Sequence, residues 1–303
     1  MQIHKLIFSI IFLSIFTVES EGGALKYAFF GGVTFYQLRK TSDPLVVSIG
    51  IDPQKDFSDK KSVYSDATLS VPSFNRQRVD VMNSIFNASD TVWLSMDHHS
   101  DNHKSFIGVE GSCNNSPCKF PKHCVKGTQG QLFVSDLFIP KNARIYVKGE
   151  DSLHEQFGAS KARYFGLGKE YLAAVKLDRK NQKPLFGEIT TNKSSKNLVE
   201  DLVQLAKKDP KRSVLVPVTG VAGDFCVDAS LCEIAEYLKE QGVTNVTLVA
   251  IDDAIAFLND SKEVQQEKID GWKKHGVVFM TSEQFLAELQ KNSGRSIPDL
   301  VQK

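Results

Sequence analysis

The sequence lacks an excess of charge of either sign, since 37 lysines and arginines balance 36 aspartates and glutamates over 303 residues. A surface that follows nucleic-acid phosphates needs clustered basic residues and usually a strongly basic domain, so we expect no nucleic-acid partner. Internal repeats and low-complexity tracts are also missing. The hydrophobic fraction of 41% and the length suit an ordinary globular protein with a substantial core, which excludes disordered, collagenous and fibrous chains.

The sequence also contains no run of the roughly eighteen apolar residues that a membrane span requires. Residues 6–18 form an uncharged, mostly apolar run, but as a helix it rises only about 20 Å, short of a hydrocarbon core of about 30 Å. With a charged start and small or medium residues at Val18 and Ser20, this run is typical of a secretory signal peptide. We therefore expect residues 1–20 to be cleaved. Residues 21–303 are then expected to form a single domain, secreted or in the secretory-pathway lumen, without membrane contact.

Cysteine is scarce, with five residues, and in a secreted chain an odd number indicates a free thiol with a function. Cys113 and Cys118 bracket a short turn-like loop and are our choice for a disulfide, although the sequence does not fix the connectivity. Sequons for N-glycosylation agree with the secretory route, and each is a weak signal by itself. They lie at Asn87, Asn114, Asn192, Asn245 and Asn259.

Short, nearly continuous apolar runs alternate with segments of helical hydrophobic periodicity. Residues 45–51 form the first such run, which is typical of a strand buried on both faces. Further runs cover residues 91–96, 143–147, 213–218, 246–251 and 276–280. This alternation predicts an α/β fold of three αβα layers, in which right-handed crossovers build a parallel sheet of about six strands. The polar residues 177–196 are predicted to be a surface insertion.

Reactive side chains follow the predicted strands at the edge where open parallel sheets bind their ligands. Asp52 follows the first strand, Asp97 the second and Lys148 the third, and a turn after the fourth strand leads to Cys226. A carboxylate, an ammonium and a thiol delivered to one edge predict a catalytic site. For Asp52 and Lys148, the alternative is a structural ion pair.

Cys226 opens a predicted helix, whose N-terminal dipole is expected to lower the pKa of the thiol and favour the nucleophilic thiolate. The alternative is a buried structural cysteine, the role expected for Cys232 further along the same helix. Asp52 can accept the thiol proton and pass it to a leaving amine, while Lys148 supplies a fixed positive charge. We predict that Cys226 is the nucleophile.

A second cluster combines a carboxylate with imidazoles, because three of the seven histidines fall within residues 97–103. One carboxylate and two imidazoles suit Zn²⁺ or another first-row ion, with at least one coordination position left open for chemistry. We predict that Asp97, His99 and His123 bind one divalent metal ion, with His103 as a candidate fourth ligand. Zn²⁺ is the preferred ion, and Mn²⁺ and Fe²⁺ are the alternatives.

Five segments, in this order, resemble those of the nicotinamidase/pyrazinamidase branch of the isochorismatase-like cysteine hydrolases. The likeness covers most of residues 45–280. The segments are Asp52-Pro-Gln-Lys-Asp-Phe57, Asp97-His-His99-x-x-x-His103-x-Ser-Phe106, Pro121-x-His123-Cys-Val-x-Gly-Thr128, Lys148-Gly149 and Gly220-Val-Ala222-x-Asp-Phe-Cys226-Val.

The resemblance implies an isochorismatase-like hydrolase fold and a role for each matching residue. Asp52, Lys148 and Cys226 are implied to form the catalytic triad, and the metal ligands are those named above. A cis peptide bond between Val221 and Ala222 is implied, with the N–H groups of Ala222 and Cys226 forming an oxyanion hole. The aromatic ring that flanks the substrate is implied to be Phe57.

The implied activity is that of a secreted nicotinamidase, which hydrolyses nicotinamide to nicotinate and ammonia through a cysteine thioester. Two departures affect the substrate pocket: His98 stands where the family has a tryptophan, and Glu155-Gln-Phe157-Gly replaces a D-x-Y-S-x-F pattern. The first alternative is an amidohydrolase of the same superfamily that acts on a different carboxamide. A secreted binding protein is a further alternative, which the intact triad residues oppose. The sequence leaves a homo-oligomer open.

Overall fold

The computed structural model describes residues 17–19, 25–30, 33–38, 43–61, 67–110, 120–181 and 196–293. Most of the predicted signal peptide, the expected disulfide partners Cys113 and Cys118, and the sequons at Asn114 and Asn192 lie outside these residues. In the ranges just given, no helix combines the length and hydropathy that crossing a bilayer requires.

A small antiparallel sheet lies near the N-terminus and consists of β1 (Thr17–Glu19), β2 (Leu25–Phe30) and β3 (Val33–Leu38). β1 belongs to the residues predicted to be cleaved. β2 and β3 pair with each other along their full length, from Leu25 opposite Leu38 to Phe30 opposite Val33. The sequence did not predict these strands.

The central sheet has seven strands among the described residues. They are β4 (Leu45–Ile51), β5 (Thr91–Asp97), β6 (Arg144–Lys148), β7 (Arg163–Leu167), β8 (Val214–Val221), β9 (Val246–Ala256) and β10 (Val278–Met280). Their spatial order is β10-β9-β8-β4-β5-β6-β7, and all neighbours are parallel except β7, which runs antiparallel to β6. The mostly parallel α/β sheet is therefore confirmed, with one antiparallel edge strand in addition.

Six α-helices in the described chain cover the two faces of this sheet. They are α1 (Arg76–Asn87), α2 (Gly168–Asn181), α3 (Leu198–Lys208), α4 (Cys226–Glu240), α5 (Lys262–Lys274) and α6 (Ser282–Ser293). Residues of α1, α2 and α6 pack into one hydrophobic core, and residues of α3, α4 and α5 pack into the other. Val46 and Val47 of β4 face opposite cores, as expected for a strand buried on both sides. The three-layer αβα architecture is confirmed.

The predicted surface insertion at residues 177–196 is corrected in its first part, because residues 177–181 continue α2. Residues 182–195 lie outside the described residues. The seventh strand, β7, was missed because it is only partly buried, so its sequence Arg-Tyr-Phe-Gly-Leu lacks the continuous apolar character of the inner strands.

Gly220 lets the end of β8 approach the end of β4. Its φ is +119°, and an added Cβ would lie 2.0 Å from the carbonyl oxygen of Ile51, so a larger residue has no room. The residue after Ile51 is Asp52, and the turn after β8 leads to Cys226. This close contact of two backbones brings the two reactive side chains to one place.

Candidate active site

Asp52, Lys148 and Cys226 meet at the carboxyl edge of β4, β6 and β8. Lys148 Nζ lies 2.9 Å from Asp52 Oδ2 and 3.6 Å from Cys226 Sγ. The three residues are buried, with at most 7% of any one of them exposed. The structure thus brings the predicted carboxylate, ammonium and thiol into one cluster, although their catalytic roles stay predictions.

Burial raises the pKa of Asp52 to about 6, and the charge of Lys148 and a hydrogen bond from Ser95 oppose this rise. Ser95 Oγ donates that bond to Asp52 Oδ1 at 2.6 Å. For Lys148, burial alone would lower the pKa, but the carboxylates of Asp52 and Asp97 outweigh it and raise the pKa above its usual value. Lys148 therefore remains a cation, while Asp52 has the pKa of a general base near neutral pH.

Burial also raises the pKa of the Cys226 thiol well above its usual value, and Lys148 opposes this only in part. The sequence predicted the opposite direction, from the position of Cys226 at the start of α4. That position is confirmed, since Cys226 is the first residue of α4. Desolvation and the nearby carboxylates of Asp52 and Asp97 outweigh the helix dipole, because a buried thiolate lacks the water that would stabilise its charge. The resting thiol is protonated and needs a base.

The turn before Cys226 contains the cis peptide bond between Val221 and Ala222 that the resemblance implied. The carbonyl of Ala222 accepts hydrogen bonds from the N–H groups of Phe225 and Val227 at 3.1 and 3.0 Å. These bonds hold the turn tightly around the first residue of α4, whose N–H has no acceptor within the helix. The oxyanion-hole role of Ala222 and Cys226 stays a prediction.

The predicted metal ligands also lie together. Ligand atoms of Asp97, His99 and His123 are all within 4.8 Å of one another. His99 Nδ1 bonds the carbonyl of Gly149 at 2.9 Å, and His123 Nδ1 bonds the carbonyl of Pro121 at 2.8 Å. A carbonyl only accepts, so each Nδ1 donates a proton and Nε2 is the ring nitrogen that remains to face a metal ion.

The electrostatics of this cluster suit a cation. Burial opposes ionisation of Asp97, but Lys148 and His99 together hold its pKa well below the usual range, so it is a carboxylate. Burial and His99 lower the pKa of His123 to about 4, so its imidazole is neutral. His99 Nε2 is buried and, among the described residues, has no hydrogen-bond partner. One carboxylate with two imidazoles fits a first-row divalent metal ion.

His103 and Glu155 extend this cluster on one side. Ligand atoms of His99, His103 and Glu155 lie within 4.8 Å of one another. The ring of His103, the candidate fourth ligand, is fully buried and its centroid lies 4.4 Å from that of His99. The sequence gave Glu155 no role. The only indication in the sequence was that Glu155 belongs to the segment Glu155-Gln-Phe157-Gly, which departs from the family pattern.

Two further residues that sequence reasoning left without a role hold the site in place. The side-chain amide of Gln54 makes two hydrogen bonds to the backbone of Asp97. Its oxygen accepts from Asp97 N at 2.8 Å, and its nitrogen donates to Asp97 O at 2.9 Å. Asp56 Oδ2 accepts from the N–H of Cys124 at 2.7 Å, which fixes the backbone next to His123. Residues 52, 54 and 56 thus contribute the buried carboxylate of the triad and two side chains that fix the backbone of the site.

A cleft that is partly open to solvent connects Cys226 of the triad to the metal cluster. Asp97, His123 and Cys226 lie in its wall, together with the aromatic rings of Phe57, Phe120, Phe157 and Phe225. The Phe57 ring packs against His123, with centroids 5.4 Å apart. An aromatic cleft with a few polar groups at one end is typical of a site for a small planar ligand. Phe57 thus lies in the cleft wall, and its role beside the substrate stays a prediction.

His98 does not take the place of the family's tryptophan in the pocket wall. It is buried, Gln131 hydrogen-bonds its Nδ1, and it is not one of the described residues that line the cleft. Burial and the charge of Lys126 lower the pKa of His98 to about 3, so its ring is neutral. The wall is instead completed by phenylalanine rings from other segments.

Comparisons with known proteins agree with this fold. No protein-family model matches the chain, and no curated protein matches it. Several solved structures do. A nicotinamidase/pyrazinamidase of Acinetobacter baumanii is 20% identical over 81% of this chain and 100% of its own, with a TM-score of 0.56. An L. infantum protein in complex with nicotinate is also 20% identical, over 80% and 96% of the two chains, with a TM-score of 0.54.

The yeast nicotinamidase bound to the inhibitor nicotinaldehyde is 17% identical over 78% of this chain and 100% of its own, with a TM-score of 0.51. This chain therefore has the same fold as these solved structures. They include nicotinamidases, so the predicted resemblance is confirmed for the fold.

Proposed function

We propose that this chain is a nicotinamidase, which hydrolyses nicotinamide to nicotinate and ammonia. The observation that carries the proposal is the position of Lys148 Nζ, 2.9 Å from Asp52 and 3.6 Å from Cys226, in a cleft that also contains Asp97 and His123. A structural ion pair does not need a thiol beside it at the end of an aromatic cleft. The nicotinate and nicotinaldehyde bound by two proteins of the same fold also support a pyridine ligand.

The first half of the reaction uses the triad. Cys226 Sγ attacks the carboxamide carbon, and the thiol proton passes to Asp52, whose raised pKa suits it to accept a proton and release it again. The N–H groups of Ala222 and Cys226 stabilise the negative oxygen of the tetrahedral intermediate. Asp52 then protonates the departing nitrogen. Ammonia leaves, and the acyl group remains on Cys226 as a thioester. Lys148 balances the charge on Asp52 throughout.

The second half consumes one water molecule. Asp52, again a carboxylate, takes a proton from water, and the resulting hydroxide attacks the thioester carbon. The thioester bond breaks, the sulfur recovers the proton held by Asp52, and the acid loses its own proton to solvent and leaves as nicotinate.

Substrate orientation depends on the other end of the cleft. Asp97, His99 and His123 would hold the divalent metal ion, proposed to be Zn²⁺ with Mn²⁺ and Fe²⁺ as alternatives, which when bound supplies a Lewis acid for the pyridine nitrogen. Phe57 flanks the pyridine ring, since it packs beside His123 in the cleft wall. Fixing the ring at this end places the carboxamide at Cys226 and removes much of the entropic barrier.

A second candidate is an amidohydrolase of the same fold that acts on a different carboxamide. The observation that favours it is Glu155, whose carboxylate reaches the cleft wall. A carboxylate there favours a substrate with an additional hydrogen-bond donor or a positive charge. A panel of carboxamides that differ in these groups separates the two candidates.

The proposal includes the secretory route and a single domain of residues 21–303. Support comes from the N-terminal signal-like segment and from two exposed sequon asparagines, Asn87 and Asn259.

The test is ammonia release from nicotinamide by residues 21–303 expressed through a secretory pathway. Cys226→Ala is expected to abolish turnover, while Cys232→Ala, a half-buried cysteine of the same helix, is expected to retain it. Wild-type turnover in Cys226→Ala overturns the mechanism. Ammonia release from a different carboxamide but not from nicotinamide keeps the mechanism and rejects nicotinamide as the substrate. If the metal-bound protein releases ammonia from no amide, the result supports a binding role.

A further inference from the structure

The turn after β8 is hydrogen-bonded to the end of β9 and to the residues that follow it. Gly223 donates its N–H to the carbonyl of Ala256 at 2.7 Å. Asp224 continues this contact with its side chain, because its Oδ1 accepts from the N–H of Leu258 and its Oδ2 from the N–H of Asn259, both at 2.9 Å. Hydrogen bonds from backbone N–H groups to a carboxylate are stronger than those between neutral groups. One carboxylate thus fixes the two segments to each other.

Both of these segments form part of the cleft wall. Ala222, Phe225 and Cys226 line the cleft from the turn, and Leu258 lines it from the residues after β9. Asp224 is only 9% exposed and is not one of the described residues that line the cleft. It can therefore affect a ligand in the cleft only through the residues that it holds.

A helix cap is the alternative role for an aspartate that lies two residues before the start of α4. Phe225 occupies the N-cap position, and no side chain at that position bonds to the helix. Both oxygens of Asp224 bind N–H groups outside α4 instead. Asp224 also belongs to a segment that carries the family resemblance, but the resemblance gave it no role. The structure shows that its carboxylate holds the turn against the residues after β9.

We propose that Asp224 is a positioning residue, which places the N–H of Ala222 and the start of α4 at Cys226 relative to the cleft wall at Leu258. The inference rests on the proposed function, in which the N–H groups of residues 222 and 226 stabilise the oxyanion. Such donors must point to the place where the negative charge develops. A displacement of about 1 Å is enough to lower a rate by about a hundredfold.

The test is Asp224→Asn, which keeps the size of the side chain but turns an NH₂ group toward one of the two N–H donors. The variant is expected to lower kcat for nicotinamide by at least about tenfold, and by more than it raises KM. A side chain that only fills space would tolerate this substitution.

Asp253→Asn is the matched control. Asp253 also uses both oxygens, accepting from the N–H of Ser282 at 2.7 Å and from its hydroxyl at 2.6 Å. It is not among the described residues that line the cleft, so the variant is expected to keep the wild-type kcat. An equal loss of kcat in both variants, or no loss in Asp224→Asn, overturns the proposal.

Amide hydrogen exchange needs no substrate. The N–H of Asn259 is expected to exchange slowly in the wild type although Asn259 is exposed, because Asp224 binds it. In Asp224→Asn, exchange at residues 258–259 and in the turn at residues 222–226 is expected to be at least about tenfold faster. Fast exchange at residue 259 in the wild type overturns the proposal even where the variant does not fold.

The two readouts together separate this inference from the proposed function. Exchange that depends on Asp224, in a protein that hydrolyses no amide, rejects the nicotinamidase and keeps the positioning of the turn. Turnover of nicotinamide with a kcat that does not depend on Asp224 rejects the positioning role alone.

Discussion

The carbonyl of Gly149 accepts a hydrogen bond from Nδ1 of His99 at 2.9 Å, and the His99 ring occupies the space that a side chain at position 149 would need. Gly149 directly follows Lys148, so one short segment carries the cation of the triad and also orients a predicted metal ligand. The Lys-Gly pair thus serves both halves of the site.

Gly149→Ala is expected to displace His99 and weaken Zn²⁺ binding by about ten- to hundredfold. The added Cβ would lie 2.5 Å from His99 Cε1 and 2.8 Å from Nδ1. Gly276→Ala is the control, because its φ of +77° is also left-handed but nothing lies within 4 Å of the added Cβ. Both variants carry a backbone cost of about 1–2 kcal/mol in thermal unfolding. Unchanged Zn²⁺ affinity in Gly149→Ala would show that this contact does not hold His99.

Lys148→Met is expected to lower the free energy of unfolding by about 3–5 kcal/mol, because it leaves the buried Asp52 and Asp97 carboxylates without their cation. Lys122→Met removes a cation from an exposed pair with Asp101 and is expected to cost about 0–1 kcal/mol. Denaturant unfolding of both variants measures the difference. Similar costs would argue against an ionised cluster at the triad.

The acid limb of kcat/KM is expected near pH 6, because below this pH Asp52 is protonated and no longer accepts the thiol proton. Ser95→Ala removes a hydrogen bond that stabilises the charged carboxylate, so the pKa of Asp52 rises. The limb is therefore expected to move to higher pH by about one unit, since a hydrogen bond to a charged group contributes about 1.5 kcal/mol.

A pH-rate profile checks this against Ser48→Ala. Ser48 is a buried serine of β4 whose Oγ pairs with Ser89, not with Asp52. If Ser95→Ala leaves the acid limb at its wild-type pH, the limb reports the protonation of a group other than Asp52.

Glycan mapping by mass spectrometry after secretory expression is expected to find Asn87 and Asn259 modified and Asn245 bare. Asn87 and Asn259 are exposed. The amide nitrogen of Asn245 donates to three backbone carbonyls, those of Ala206, Asp209 and Arg212. A glycan on this nitrogen would remove donors that the folded chain uses. Absence of glycans from all three sites would count against the secretory route.

The inner strands and the residues that follow them could be predicted from the sequence, because strands buried on both faces are continuously apolar and parallel strands deliver their ends to one edge. β7 could not, since it is only partly buried and its sequence lacks a continuous apolar run. The pKa of Cys226 was predicted in the wrong direction, because a helix start is visible in the sequence but the depth of burial is not. Glu155 approaches His99 only through tertiary structure, 56 positions away in the chain.

The burial of Cys226 also affects how long this proposed nucleophile stays unmodified. Peroxides and alkylating reagents attack the thiolate, and a thiol whose pKa is raised by burial presents little of it. Because only 7% of the residue is exposed, we expect Cys226 to resist sulfenic acid formation and adventitious disulfide exchange. In the proposed mechanism, the sulfur becomes strongly nucleophilic only when a substrate carbonyl lies next to it and Asp52 takes its proton, which restricts its reactivity to the occupied cleft.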